Sequence, residues 1–314
     1  MKKVAAGLLA SALMASAAHA NIISFFETQR NTDFTSAGVG GLRGTGTGAI
    51  TLSGISGTVN RVYLYWHGPT NSSDPGFNAT ITFNGVTVTG ENIGFSDDNF
   101  WDQANSQAYR ADVTALVSGD GAYTIAGLFA DNSNGASLLA FYDDGDDTNN
   151  RDIVLFNGND ANFDNSFDPL GWNIVLNNIL YSGGDVGLQL HVSDGQNFGS
   201  SDDGTLTING APFVTGGIFQ GNSTPATSGT TVPNGSLWDI KNFDLTAFFT
   251  LGLNDLTIGL GSINDALSAI VAAINLPAGA APPDPDPIPV PPAALLLVTG
   301  AGALTAMRRK KKAE

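Results

Sequence analysis

Alternation dominates this chain. In Arg61-Val62-Tyr63-Leu64-Tyr65-Trp66-His67 the apolar Val62, Leu64 and Trp66 fall on one face, and Tyr63, Tyr65 and His67 on the other. That period of two is the pattern of a strand. Thr80–Thr89 alternates in the same way around Asn84-Gly85, a dipeptide that supplies the two positive-φ residues of a type I′ hairpin turn. Amphipathic helical patterns are absent from the body, and Gly, Asn, Asp, Ser and Thr punctuate it every few residues. Many short strands with regular turn signals predict an all-β sandwich.

The pattern also repeats. Thr205–Gly210 echoes Thr80–Gly85, Val186–His191 echoes Val62–His67, and Phe243–Phe248 echoes Ala111–Leu116. Leu256-Thr257-Ile258 follows Tyr123-Thr124-Ile125, and Asp265–Ile270 sits where Gly135–Ala140 sits in the first half. Five echoes in the same order, at offsets between 124 and 133 residues, predict two tandem, internally duplicated, jelly-roll-like β-sandwich domains. The domains are expected at 21–159 and 160–277. Asp112 and Asp244 are expected to close turns by accepting N–H groups two residues on. Ala266–Leu276 is read as a strand, because the repeat outweighs its helical propensity. Trp66, Trp172, Phe83, Phe141 and Phe213 are assigned to the cores. Each buried aromatic removes roughly 150–250 Å² from water.

Both ends depart from this body. Met1-Lys2-Lys3, the apolar Val4–Ala15 and Ala18-His19-Ala20 form the n-region, h-region and cleavage site of a secretory signal peptide, 1–20. Cleavage falls after Ala20, with Ala18 in the other small position. The opposite end turns proline-rich at 278–292, an extended stalk. An apolar run, Ala293–Met307, follows as a hydrophobic membrane helix, and then a basic stop at 308–314 containing Arg308, Arg309, Lys310, Lys311 and Lys312. Basic residues beyond an apolar run hold that end in the cytoplasm while the body is exported. Ile288, Pro289, Val290, Pro291 and Pro292 between stalk and run form the sorting and cleavage motif.

This tail resembles the PEP-CTERM class of sorting signals in its V-P-x-P-A variant, with Ile288 in place of Val and Pro292 in place of Ala. The resemblance implies an exosortase-type processing enzyme in the inner membrane of a Gram-negative bacterium. It also implies transient anchoring, then release to the cell surface or extracellular matrix. On Tyr63–Gly68, Gly135–Asp144 and Leu237–Thr246 the body is similar to secreted β-proteins that carry such tails. That likeness implies an extracellular sandwich and no particular activity.

Composition narrows the chemistry. There is no cysteine, so an exported body must be held by its core rather than by disulfides. Between Asn21 and Pro283 six basic residues stand against 26 acidic ones, a net charge of −20. That field repels nucleic acid, and no basic patch exists to bind it. His67 and His191 occupy equivalent repeat positions, which suits packing roles. No zinc-ligand spacing and no G-x-S-x-G elbow occur, and no catalytic residue is assigned. A Ser placed within hydrogen-bond reach of either His would favour a hydrolase.

Acidic loops are the remaining candidates. Asp143, Asp144 and Asp146 form one, and Asp160, Asn162 and Asp164 another, with Asp168 following; Ser201-Asp202-Asp203 is a third. Such loops can supply the oxygen ligands of a structural Ca²⁺, although turn chemistry and solvation is the preferred reading. The expectation is a non-enzymatic exported surface or matrix protein, with exopolysaccharide as a second partner. A carbohydrate-binding module using exposed Tyr63, Tyr65, Trp101 and Trp238 is the alternative, and a secreted hydrolase the weaker one.

Overall fold

A computed structural model describes residues 22–98, 103–164, 167, 171–197, 203–227, 235–261 and 265–285. The described chain is almost entirely strand. Its centre is a nine-stranded sheet in the order β15(Trp238–Asp244), β12(Gly187–Ser193), β17(Ser268–Pro277), β10(Arg151–Ala161), β1(Ile23–Gly40), β9(Gly135–Asp143), β3(Thr58–Thr70), β7(Gln103–Asp112), β6(Glu91–Asp98). One four-stranded sheet runs β2(Gly48–Leu52), β8(Gly121–Ala126), β4(Thr80–Phe83), β5(Val86–Thr89). The other runs β11(Trp172–Tyr181), β16(Gly252–Gly261), β13(Thr205–Ile208), β14(Ala211–Thr215). All neighbours within these sheets are antiparallel, as expected of an all-β sandwich.

Strand order recurs between the halves. β1-β9-β3-β7 is matched by β10-β17-β12-β15, and β2-β8-β4-β5 by β11-β16-β13-β14. Register recurs too: Tyr63 faces Asp112 as Gly187 faces Asp244. The final echo shifts, however. His67 faces Gly135 and His191 faces Val271, so Asp265–Leu267 precede β17 rather than align with β9. The halves are also not separate in space. The boundary expected between Asn159 and Asp160 falls inside β10, and residues up to Pro282 form one compact unit.

β1 makes the joint. Ile23–Thr32 pairs with β10 and Asp33–Gly40 with β9. Between them Asn31 takes φ 51° and its N–H donates to Asp152 Oδ1 at 3.1 Å. Asn is the residue best suited to that left-handed turn after glycine. The strand changes direction here, and the two arms of the large sheet fold face to face. Side chains from both arms then form an inner core around Tyr65, Leu139, Phe141, Leu155, Trp238 and Val271. Each outer face is covered by one small sheet, giving a first-half core around Trp66, Phe83 and Ile125. Its second-half counterpart lies around Trp172, Phe219 and Ile258. Phe213 is half-buried against the latter rather than fully enclosed. Close approach of the arms needs small residues: a Cβ on Gly135 would lie 2.5 Å from Trp238 Cβ.

The local expectations hold where the chain is described. Asn84 and Gly85 have φ of 48° and 80°, and Asn209 and Gly210 repeat this at 50° and 75°. Asp112 Oδ1 accepts from Thr114 N at 3.0 Å, and Asp244 Oδ1 from Thr246 N at 2.9 Å. β17 is a strand. Among the described residues no helix is long and apolar enough to cross a membrane.

Candidate functional site

The period-two pattern that places Val62, Leu64 and Trp66 outward sends Tyr63, Tyr65 and His67 into the seam between the arms. β12 sends Gln189, His191 and Ser193 there from the other side. His67 Nδ1 lies 2.6 Å from Ser193 Oγ, and His191 Nδ1 lies 2.7 Å from Ser137 Oγ. Each histidine thus meets a serine of the opposite arm. Both rings are sealed, with His67 1% and His191 0% exposed. Burial pushes both imidazoles down to about 3, with the Arg43 charge adding to the fall at His67 and an Asn159 hydrogen bond opposing it. They are therefore neutral at physiological pH.

The serine criterion for a hydrolase is met in distance and not in access. Ser137 and Ser193 are each 0% exposed, and a nucleophile must touch its substrate. The third group is also of the wrong kind. His191 Nε2 meets the neutral Gln189 Oε1 at 3.0 Å, where a triad needs a carboxylate to stabilise the imidazolium.

A polar chain leads outward from His191. Gln189 Nε2 donates to Asn242 Oδ1 at 2.8 Å, and both residues line an open groove of about 520 Å³. Its walls come from β1 (Phe34, Ser36), β2 (Thr51), β12, β15 and the segment Ser223–Pro225. Asp239, fully buried, holds that last wall: its carboxylate accepts from Gly221 N at 2.6 Å, Asn222 N at 3.2 Å and Ser223 N at 3.1 Å. A second depression of about 570 Å³ shares Asn242 and contains Arg151, Asp185 and Asp244.

The residues expected to act from sequence fare differently. Ala18, Ala20, the motif Ile288–Pro292, the apolar run and Arg308–Lys312 lie outside the described residues, as do Trp101, Asp168, Ser201 and Asp202. The aromatic sugar platform is overturned where it is described: Tyr63 is 5%, Tyr65 0% and Trp238 0% exposed, because both faces of β3 are covered. The two acidic loops do not converge. Asp143, Asp144 and Asp146 precede β10 while Asp160, Asn162 and Asp164 sit at its far end, about 30 Å away by strand rise. Their oxygens are largely engaged. Asp143 Oδ1 accepts from Gly145 N and Asp144 Oδ1 from Asp146 N, each at 2.8 Å. Asp146 Oδ1 takes both groups of Thr148, which hold its carboxyl below the ordinary range. Asp160 Oδ2 accepts from Ile23 N at 3.3 Å, and Asn162 Oδ1 from Leu267 N at 2.9 Å. Asp203 is likewise occupied, by the N–H groups of Ile218 and Phe219. Among the described residues no group of three or more His, Asp or Glu is placed to hold a metal ion.

Sequence reasoning did not find the groove, since its lining comes from four strands with no linear motif. Comparison with known proteins adds little. No known family pattern matches the chain, and no curated protein matches it. A peptide-N(4)-(N-acetyl-β-D-glucosaminyl) asparagine amidase aligns over 81% of this chain and 95% of its own, with 13% identity and a TM-score of 0.28. A recombinant peptide:N-glycanase F aligns over 82% and 95%, with 11% identity and a TM-score of 0.22. Overlap this loose supports no argument about fold or activity.

Proposed function

We propose that the chain is an exported, non-enzymatic protein of the cell surface or extracellular matrix, delivered with a C-terminal sorting tail that an exosortase-type membrane enzyme removes. The observation that carries this reading is the pairing of two terminal sequences. Ala18-His19-Ala20 closes a secretory leader, and Ile288–Pro292 precedes an apolar run with a basic stop. The body suits that route. It folds without cysteine around three apolar cores, and its negative charge favours solubility after release.

The chain is tied to the body at Gly279–Pro282. Asp152 Oδ2 accepts from Gly279 N at 2.9 Å and Ala281 N at 3.2 Å, while Arg30 donates to the carbonyls of Ala281 and Pro282. The motif begins at Ile288, downstream of this clamp in the sequence. The sealed histidine–serine pairs favour a structural over a hydrolytic role. Intact mass spectrometry of the protein released by an exosortase-bearing host tests the reading. A C-terminus near Pro291 is expected. A released protein that retains Arg308–Glu314 overturns it.

A further inference from the structure

We infer that the groove between β1 and β15 is a binding site for a neutral oligosaccharide. The inference deepens the matrix reading by naming a ligand class for the body, and relies on it only for where that ligand is met. Among the described residues no charged side chain lines the groove, although the body around it carries 26 acidic residues. An ionic ligand would find no partner there. The groove volume falls within the ~300–1,000 Å³ range of small-molecule sites.

The walls are built rather than incidental. Gln189 is 7% exposed, and its carboxamide is fixed at both ends, by His191 Nε2 and by Asn242 Oδ1. That contact engages Asn242 Oδ1, and Asn242 itself is exposed. Ser36 and Thr51 add hydroxyls that, among the described residues, show no hydrogen bond within the protein, beside the half-buried ring of Phe34. Amide and hydroxyl groups around one apolar surface match a sugar ring, whose C–H face is ringed by hydroxyls.

A peptide fits less well. β15 is an edge strand and could template an added strand. Its groove-side backbone is already engaged, however: Ile240 N donates to Ser223 Oγ at 2.9 Å, and Trp238 O accepts from Thr224 Oγ1 at 2.8 Å. Side-chain recognition is what remains.

Isothermal titration calorimetry on the full chain, in a detergent without a sugar headgroup, tests this. The probes are neutral hexasaccharides of β-1,4-glucose, α-1,4-glucose, β-1,3-glucose, β-1,4-N-acetylglucosamine and α-1,6-mannose. A polygalacturonate oligomer serves as the anionic control. At least one neutral probe is expected to bind and the anionic one not. Asn242→Ala, at an exposed position, should weaken binding about tenfold, the value of one lost hydrogen bond to ligand. Thr51→Trp, also exposed, should fill the groove and abolish binding. Should Thr51→Trp disturb the far-UV spectrum, Ser36→Ala replaces it with a tenfold criterion. No heat with any neutral probe at about 10 mM, binding that survives both substitutions, or preference for polygalacturonate each overturns the inference. None of these outcomes touches the C-terminal processing result, so the two readings fail separately.

Discussion

Acid should destabilise this protein well before its carboxylates are neutralised. His67 and His191 are the cause. Both are fully enclosed, and burial lowers each from an ordinary 6.5 to about 3. Their folded-state values are depressed, so as pH falls below 6.5 the unfolded chain takes up protons first. The neutral-imidazole advantage is therefore complete above 6.5 and declines steadily toward 3. At about pH 5 the chain is roughly 1.5 units below the unfolded value, which removes about 2 kcal/mol per histidine and about 4 kcal/mol for both. That is a large part of the ~5–15 kcal/mol that holds a typical domain together.

Other groups work elsewhere on the pH scale. The hydroxyl and N–H of Thr148 and Thr246 hold Asp146 and Asp244 below 3.8; at Asp112 burial opposes this, but Thr114 and Arg61 prevail. These three lose their contribution only below that value. Asp33 is pushed up by burial and by Asp144, Asp143 and Asp146, so its protonation favours the fold as pH falls. Urea denaturation followed by tryptophan fluorescence, at about pH 7.5 and about pH 5, measures the difference. His67→Gln/His191→Gln places an uncharged amide in each position and cannot titrate. It should lose less than about 1 kcal/mol over the same interval. A wild-type protein equally stable at both pH values, or a double variant with the same loss, refutes the argument.

Two further outcomes follow from the loops and the joint. Asp152→Ala strips the acceptor from the N–H groups of Asn31, Gly279 and Ala281 and should cost about 3 kcal/mol. Differential scanning fluorimetry should show it as a melting point lower by roughly 6–12 °C, with faster proteolysis around Gly279; an unchanged melt would mean Asp152 does not anchor the corner. Calcium at about 5 mM should leave the melting temperature within ~1 °C of its value in chelator, because the loop carboxylates already accept hydrogen bonds from their own turns. A clear rise would show that those turns rearrange around an ion.

Much of the architecture was legible because strands write themselves as a period of two. Val62, Leu64 and Trp66 against Tyr63, Tyr65 and His67 announced the two faces of β3, and the Asn-Gly pairs at 84–85 and 209–210 announced the β4–β5 and β13–β14 hairpins. The echo in the sequence rests on the same period of two. Its last member slipped because β17 is apolar on both faces, and a strand without alternation has no register to read.

What sequence could not show is what lies against the second face. Polar and aromatic residues opposite an apolar stripe normally mark solvent. Tyr63, Tyr65, His67 and Trp238 are instead enclosed, because β1 changes partner from β10 to β9 partway along and the two arms pack against each other. The groove exists for the same reason, since Phe34, Ser36, Thr51, Gln189 and Asn242 share no local pattern. Local alternation, turn chemistry and the terminal segments belong to the sequence itself, because each is decided by neighbours within a few residues. The sealed seam, the neutral histidines and the open groove belong to the tertiary structure, because burial is a property of what arrives from far along the chain.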